Sequence, residues 1–382
     1  MTTTDCEGIM KNLGIISYNI YCNFTNYGSA LQSWALHQAV TSLGGYVPKL
    51  IDYCPDILAD KDPLNPYKNM WDQNEEARRM CELSMPAIKE NYYKFDKFYT
   101  DRFFRTRKKY TSKNFDESVH DEDLSGFICG SDTIFCIDEF GFDDGFYANY
   151  HSMQGHSVAY AASFGDAVFS AEDYDTLNQR LQNFKAIGLR EIAMVPYVQN
   201  HTDAAVQKVI DPTLLLPREK YDTIAVPERL ENEKYLLYYS RRYSPEMERY
   251  AEVLAAKNHW EVVDISLQAA NAAKGHRMYY EAGVEEFLSL VKHAEYVVTN
   301  SFHGLIFAVQ YRKPFVVFSR DQCNTKINEV LQLFGLSDHL LITGTEAVND
   351  SIDYDAVHQR IAAARETSMS FLKMELELLQ RT

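Results

Sequence analysis

Nowhere do the 382 residues hold an apolar run long enough to cross a bilayer. The N-terminal stretch MTTTDCEGIMKNLG is polar and acidic and lacks the basic flank and apolar core of a secretion signal. The expectation is therefore a cytoplasmic protein, with peripheral attachment to the inner face of the membrane left open. Positive charge is scarce: 38 Lys and Arg against 54 Asp and Glu give a net charge of -16, which repels nucleic acid at long range. No nucleic-acid partner is expected. The seven cysteines are scattered and odd in number, with no CxxC and no Cys/His cluster, so they read as reduced, mostly buried thiols. No metal is expected. There is no GxGxxG, no P-loop, no internal repeat and no low-complexity tract. A dinucleotide or nucleoside triphosphate site is thus weakly supported.

What is present points to two packed cores. The chain exceeds the usual size of one domain, and a 46% hydrophobic fraction with 26 Tyr and 21 Phe supplies the volume to fill them. Short apolar runs alternate with helical patterns, the signature of βα units around a parallel sheet. Strands are expected at LGIISYN, VPKLID, FICGS, SVAYAAS, AIGLR and KVIDP, then at KYLLYY, WEVVDI, YVVTNS, PFVVF and HLLIT. Pro217, Pro227 and charged, weakly periodic residues mark Leu214 to Asn232 as the linker between the two sets. The organisation expected is an α/β protein of two Rossmann-like domains facing across a cleft, residues 1–213 and 233–348, followed by a terminal amphipathic helix in 349–382 that packs back across the hinge. KENYYKFDKFYTDRFFRTRKKYT reads as an amphipathic helix with a basic outer face.

Chemistry-bearing residues fall where predicted strands end. Asn300, Ser301, Phe302, His303 and Gly304 lie between a strand and a buried helix, a place where free N–H groups and the helix dipole attract an anion. The same pattern suits ordinary capping, with Ser301 or Asn300 as the cap and Gly304 relieving the turn. Asn26, Tyr27 and Gly28 open the first helix, where Gly28 admits backbone close to a ligand or simply completes a turn. Ser131 and Asp132 end FICGSD, and Asp132 reads as a proton acceptor or as a helix cap. Arg190, in GLRE, can grip a carboxylate or phosphate or bridge to an internal acid. Arg241 with Arg242, and Arg320 with Lys326, follow strands of the second set and are candidate anchors for an anion or a solvated surface.

In order along the chain, NYGSALQSWAL, GSDTIF, YAASFG, GLRE, IDPTLLL and TNSFHGLIFAVQYRKPF resemble the polysaccharide pyruvyl transferase family from about Gly14 to about Leu340. The resemblance implies a fold like that of type B glycosyltransferases. It implies transfer of a pyruvyl group from phosphoenolpyruvate, as co-substrate and with no further cofactor, onto a sugar of a capsular or surface polysaccharide precursor. The product is a ketal across two hydroxyls. The first domain would face the acceptor, whether free or lipid-linked, and the second the donor phosphate. On this reading His303 is the acid or steadies the leaving phosphate, Asp132 is the base, and Arg190 takes the donor carboxylate, with the other named residues binding substrate. In several family members an Arg precedes the loop His, in a pattern like RLHG; here Ser301 and Phe302 stand before His303, and Arg241, Arg320 or Lys326 would replace the missing cation. The alternative activity is glycosyl transfer from a nucleotide sugar on the same frame. Acceptor identity and oligomeric state are not encoded.

Overall fold

The computed structural model describes residues 10–19, 21, 25–65, 74–227, 230–320, 323–349 and 351–380. Cys6, Cys22, Asp321 and the N-terminal stretch through residue 9 lie outside the described residues. Seven parallel strands form the first sheet: β1 (Lys11–Ile16), β2 (Tyr46–Tyr53), β3 (Arg105–Tyr110), β4 (Leu124–Cys129), β5 (Ser157–Ala162), β6 (Phe184–Leu189) and β7 (Ala205–Lys208), in the order 3-2-1-4-5-6-7. Six form the second: β8 (Tyr235–Tyr239), β9 (Glu261–Asp264), β10 (Arg277–Met278), β11 (Tyr296–Thr299), β12 (Phe315–Phe318) and β13 (Leu340–Leu341), in the order 10-9-8-11-12-13. Both are doubly wound, so the strand order reverses between β1 and β4 in one and between β8 and β11 in the other. The crevices at these reversals are where such sheets take ligands. The expected arrangement, two Rossmann-like sheets facing across a cleft, is the one found.

The central strands are near-continuous apolar runs, as parallel strands covered on both faces must be. YVVT of β11 and FVVF of β12 are buried throughout. The longer helices are α1 (Tyr27–Leu43), α2 (Glu75–Arg102), α3 (Ala171–Leu181), α4 (Pro245–Asn258), α5 (Val284–His293), α6 (Phe302–Gln310), α7 (Asn324–Phe334) and α8 (Tyr354–Gln380). Their starts follow local chemistry. Asn26 caps α1 through its side chain, and Ser244 with Pro245 at N1 opens α4. All nine residues of α6 are buried, because it lies between the sheets rather than on a surface. Tyr27 of α1 stacks on Phe287 of α5 with centroids 4.5 Å apart. One core thus runs from Leu13 and Ile15 on β1 through α1, α5 and α6 to Val297 and Val317 on the second sheet.

Helix α8 crosses between the two units. Near its start His358 Nε2 lies 3.2 Å from the Val309 carbonyl and Arg360 donates to Phe334 O at 2.7 Å. Farther along, Ser368 Oγ accepts from Ile210 N at 3.1 Å, and Leu376 O accepts from Tyr46 on β2 at 3.4 Å.

Two expectations need correction. The basic aromatic stretch is not one helix: α2 stops at Arg102 and RTRKKY becomes β3. That strand lies at the edge of the sheet beside β2 and buries Thr106 and Tyr110 while Arg107, Lys108 and Lys109 are exposed, the usual way an edge strand discourages further pairing. The strand read at KVIDP is AVQK, Ala205–Lys208, and the chain leaves the sheet before Asp211. Cys54, Cys81, Cys129, Cys136 and Cys323 are buried thiols outside any disulfide among the described residues. Among the described residues no helix is long and apolar enough to cross a membrane.

Candidate active site

A cavity of about 760 Å³ opens between the sheets at the two reversals. The first unit contributes Tyr18, Asn26, Ser29, Asp132 and Glu139; the second contributes Arg241, Ser301, His303, Arg320 and Lys326.

Asp132 follows β4 with φ of +76°, a left-handed conformation that a non-glycine residue adopts at some cost. Its carbonyl accepts from Ile134 N at 2.8 Å and Ser163 N at 3.0 Å, which pins the turn. The carboxylate receives Ser29 Oγ at 2.9 Å, Thr133 N at 3.0 Å and Arg190 Nη2 at 3.3 Å. Burial opposes its ionisation, but the charges of Arg190, His303 and Lys326 and the Ser29 hydrogen bond outweigh it, and the carboxyl lies below its ordinary range.

His303 sits in the first turn of α6, where Ser301 caps the helix by accepting from Gly304 N at 3.2 Å. The imidazole lies flat against Gly28 of α1: a Cβ at that glycine would fall 1.9 Å from His303 Nδ1. At the other end Nε2 stands 3.5 Å from Asp211 Oδ2, at the limit of a hydrogen bond, with no closer partner. Asp211 is itself anchored by Thr213 N at 2.9 Å and Thr213 Oγ1 at 2.6 Å. Burial would raise its pKa, yet His303, Arg190 and Thr213 together hold it far below the usual carboxylate range. Asp211 was not among the residues singled out from the sequence. Its signal was its place in IDPTLLL, in the last residues of the strand expected at KVIDP.

Arg190 departs from its expected place. Its guanidinium is buried behind the cavity wall, 2.7 Å from Asp211, 3.3 Å from Asp132 and 3.6 Å from Glu191, and lies over the Phe302 ring at 5.0 Å. Burial disfavours its charge, but these three acids more than restore it. With Nη1 on Asp211 and Nη2 on Asp132, Arg190 bridges internal acids, the other outcome its sequence context allowed, and holds both in place.

Other expected ligand contacts also stand behind the wall. Asn300 is buried and ties two loops together, accepting from Arg241 N at 2.7 Å and donating to Arg242 O at 2.7 Å. Gly304 is packed on Thr299 and Tyr239, and Gly28 on His303, so each glycine makes room for protein rather than ligand. Ser131 is fully buried, its N–H donating to Gln32 Oε1 at 3.0 Å. Tyr27 reaches the cavity edge but spends its hydroxyl on Ala282 O at 2.8 Å. Asn26 lines the cavity while its side-chain oxygen caps α1, accepting from Gly28 N at 3.0 Å.

The cations that face the cavity are Arg241, which donates to Thr25 O at 3.3 Å, its neighbour Arg242, and the pair Arg320 and Lys326. Neither Arg320 nor Lys326 forms an ion pair among the described residues, and Arg320 Nε is buried without a hydrogen-bond partner. Lys326 Nζ lies 5.9 Å from the Phe302 ring, on the cavity side, so positive charge reaches the α6 N-terminus from β12 and α7 rather than from position 301.

Two doubly wound parallel sheets with an acid, a histidine and several cations gathered between them define a two-sheet α/β protein whose candidate active site is the cleft. Residues 26–322 match the family described as polysaccharide pyruvyl transferase, and the chain belongs to that family. It is accordingly a transferase of polysaccharide biosynthesis. No curated protein matches the chain. Solved structures similar to it include the S. aureus MnaA-UDP co-structure, at 13% identity and TM-score 0.49 over 93% of this chain and 87% of that one. A UDP-GlcNAc 2-epimerase from Neisseria meningitidis bound to UDP-GlcNAc aligns at 11% identity and TM-score 0.46 over 97% and 94%. The E. coli ADP-heptose lps heptosyltransferase II aligns at 11% identity and TM-score 0.35 over 94% and 99%.

Proposed function

We propose that the enzyme moves a pyruvyl group from phosphoenolpyruvate onto a sugar, closing a ketal across two hydroxyls and releasing phosphate. The observation that carries this reading is the meeting of Asp132 and His303 with two cations that form no ion pair among the described residues, Arg320 and Lys326, in one cavity. The donor phosphate would rest on Arg320, Lys326 and the N-terminus of α6. Its carboxylate would lie toward Arg241, which lines the cavity, whereas Arg190 does not.

Protonation of the methylene carbon by the His303 imidazolium turns it into a methyl group and leaves the adjacent carbon cation-like. A sugar hydroxyl bonds to that carbon while Asp132 removes its proton. A carboxylate of low pKa serves here, because the hydroxyl becomes strongly acidic as the new C–O bond forms. The C–O bond to phosphate then breaks, the second hydroxyl closes the ring and returns a proton to His303, and Asp132 passes its proton to the departing phosphate. Asp211, 3.5 Å from Nε2, keeps the imidazole oriented.

The test is incubation with phosphoenolpyruvate and a panel of free, activated and lipid-linked hexosides, following phosphate and product mass. Acceptor-dependent phosphate release with a pyruvyl mass gain is the expected result. Intact donor across the panel, with a nucleotide sugar stabilising the fold instead, would overturn the proposal.

A further inference from the structure

A second cavity, of about 450 Å³, lies where three parts of the chain converge: the linker after β7, the end of α6 and the helix α8. None of its lining residues lines the cleft. Arg218, Arg312 and Arg365 all face it, an unusual concentration on a chain of net charge -16. Their internal partners are incomplete. Arg365 has no carboxylate within ion-pair distance and uses two nitrogens on the linker carbonyls Leu214 O at 2.8 Å and Leu216 O at 3.3 Å. Among the described residues Arg218 pairs with Glu219, which also lines the cavity, at 3.6 Å and with Asp222 at 3.8 Å, both long contacts, and its buried Nε has no hydrogen-bond partner. Arg312 pairs at 2.8 Å with Asp355, a largely solvent-exposed carboxylate. His358 on the same wall has its pKa lowered by burial and then by all three arginines, which marks a positive field inside the cavity. Half-buried guanidiniums held in such a field are stabilised by an anion that accepts their free N–H groups.

We propose that this cavity binds a phosphorylated small molecule through Arg218, Arg312 and Arg365. The volume exceeds that of a phosphate alone and falls in the range of small-molecule sites. Its walls are the segments that join the two sheets: Gln310 of α6 donates to Thr213 O at 2.9 Å and Leu216 O at 3.2 Å, and Arg365 of α8 holds the same linker. An occupant would therefore bridge linker, second unit and α8 at once, and couple its binding to the cleft geometry.

Pyrophosphate is the probe, titrated calorimetrically into the full chain. Because the cleft also attracts phosphate, binding is measured in an Arg320→Ala/Lys326→Ala background, with and without Arg218→Gln/Arg312→Gln. Arg365 is left intact because it supports the linker. The cleft variant is expected to retain one pyrophosphate per chain, and the added changes to weaken that binding about tenfold or more per lost guanidinium. Absence of binding in the cleft variant, or binding indifferent to the two Gln changes, would overturn the proposal. Acceptor-dependent phosphate release by Arg218→Gln/Arg312→Gln, measured separately, shows whether the cleft chemistry itself is intact.

Discussion

Replacing Gly28 with Ala probes how the two units fix the histidine. The added Cβ would fall 1.9 Å from His303 Nδ1 and 2.2 Å from its Cγ, whereas ordinary contact begins at 3.4 Å, so the ring must retreat by about 1.5 Å. Moving that far takes Nε2 off its 3.5 Å approach to Asp211 and shifts the proton the ring would deliver. A displacement on the order of 1 Å at a reacting group costs about 100-fold in rate, so kcat for phosphate release should fall by about that factor. The cost to stability is modest. Overpacking of about 1–3 kcal/mol is offset by roughly 1 kcal/mol from replacing a helical glycine, leaving a net loss of about 0–2 kcal/mol. Phosphate release under saturating substrate, with urea unfolding as the control for folding, measures both. Turnover within about threefold of wild type would refute the claim that Gly28 seats His303. A loss confined to KM would instead favour the reading in which the glycine admits a ligand.

Two further outcomes test the electrostatics. Arg190→Met removes the cation shared by Asp132, Asp211 and Glu191 and leaves buried acids uncompensated. Urea unfolding should show a loss of about 3–5 kcal/mol, and a loss below about 1 kcal/mol would contradict the bridging role. Glu375 on α8 is fully buried, and burial, only partly opposed by the Gly188 backbone, raises its pKa well above the ordinary 4.5. Since the folded pKa is the higher one, stability is complete below pH 4.5 and declines as pH rises toward the folded value. Wild-type Tm should drop relative to Glu375→Gln as pH increases from 4.5, and parallel profiles would count against it.

Much of the architecture was written in local patterns. YLLYY, YVVT and FVVF are apolar on both faces, and only a parallel strand covered by helices buries such a run. Ser244 followed by Pro245, and Asn26 before an apolar periodic segment, state where helices begin. The polar ends of those strands marked where a ligand would lie, because chain direction alone puts every strand's carboxyl end on the cleft side. RTRKKY escaped this reading because an edge strand is half solvent, and its charges obey the surface rather than a core.

The sequence by itself determined the central strands, the two-sheet organisation and the short list of polar residues at strand ends, since these rest on periodicity and capping over a few neighbouring positions. Which of those residues face a ligand was decided only by the tertiary structure. Arg190 meets acids at positions 132, 191 and 211, and His303 lies against a glycine at position 28. A guanidinium grips a substrate only if no internal carboxylate reaches it first, and that depends on distances across the fold that no local pattern records.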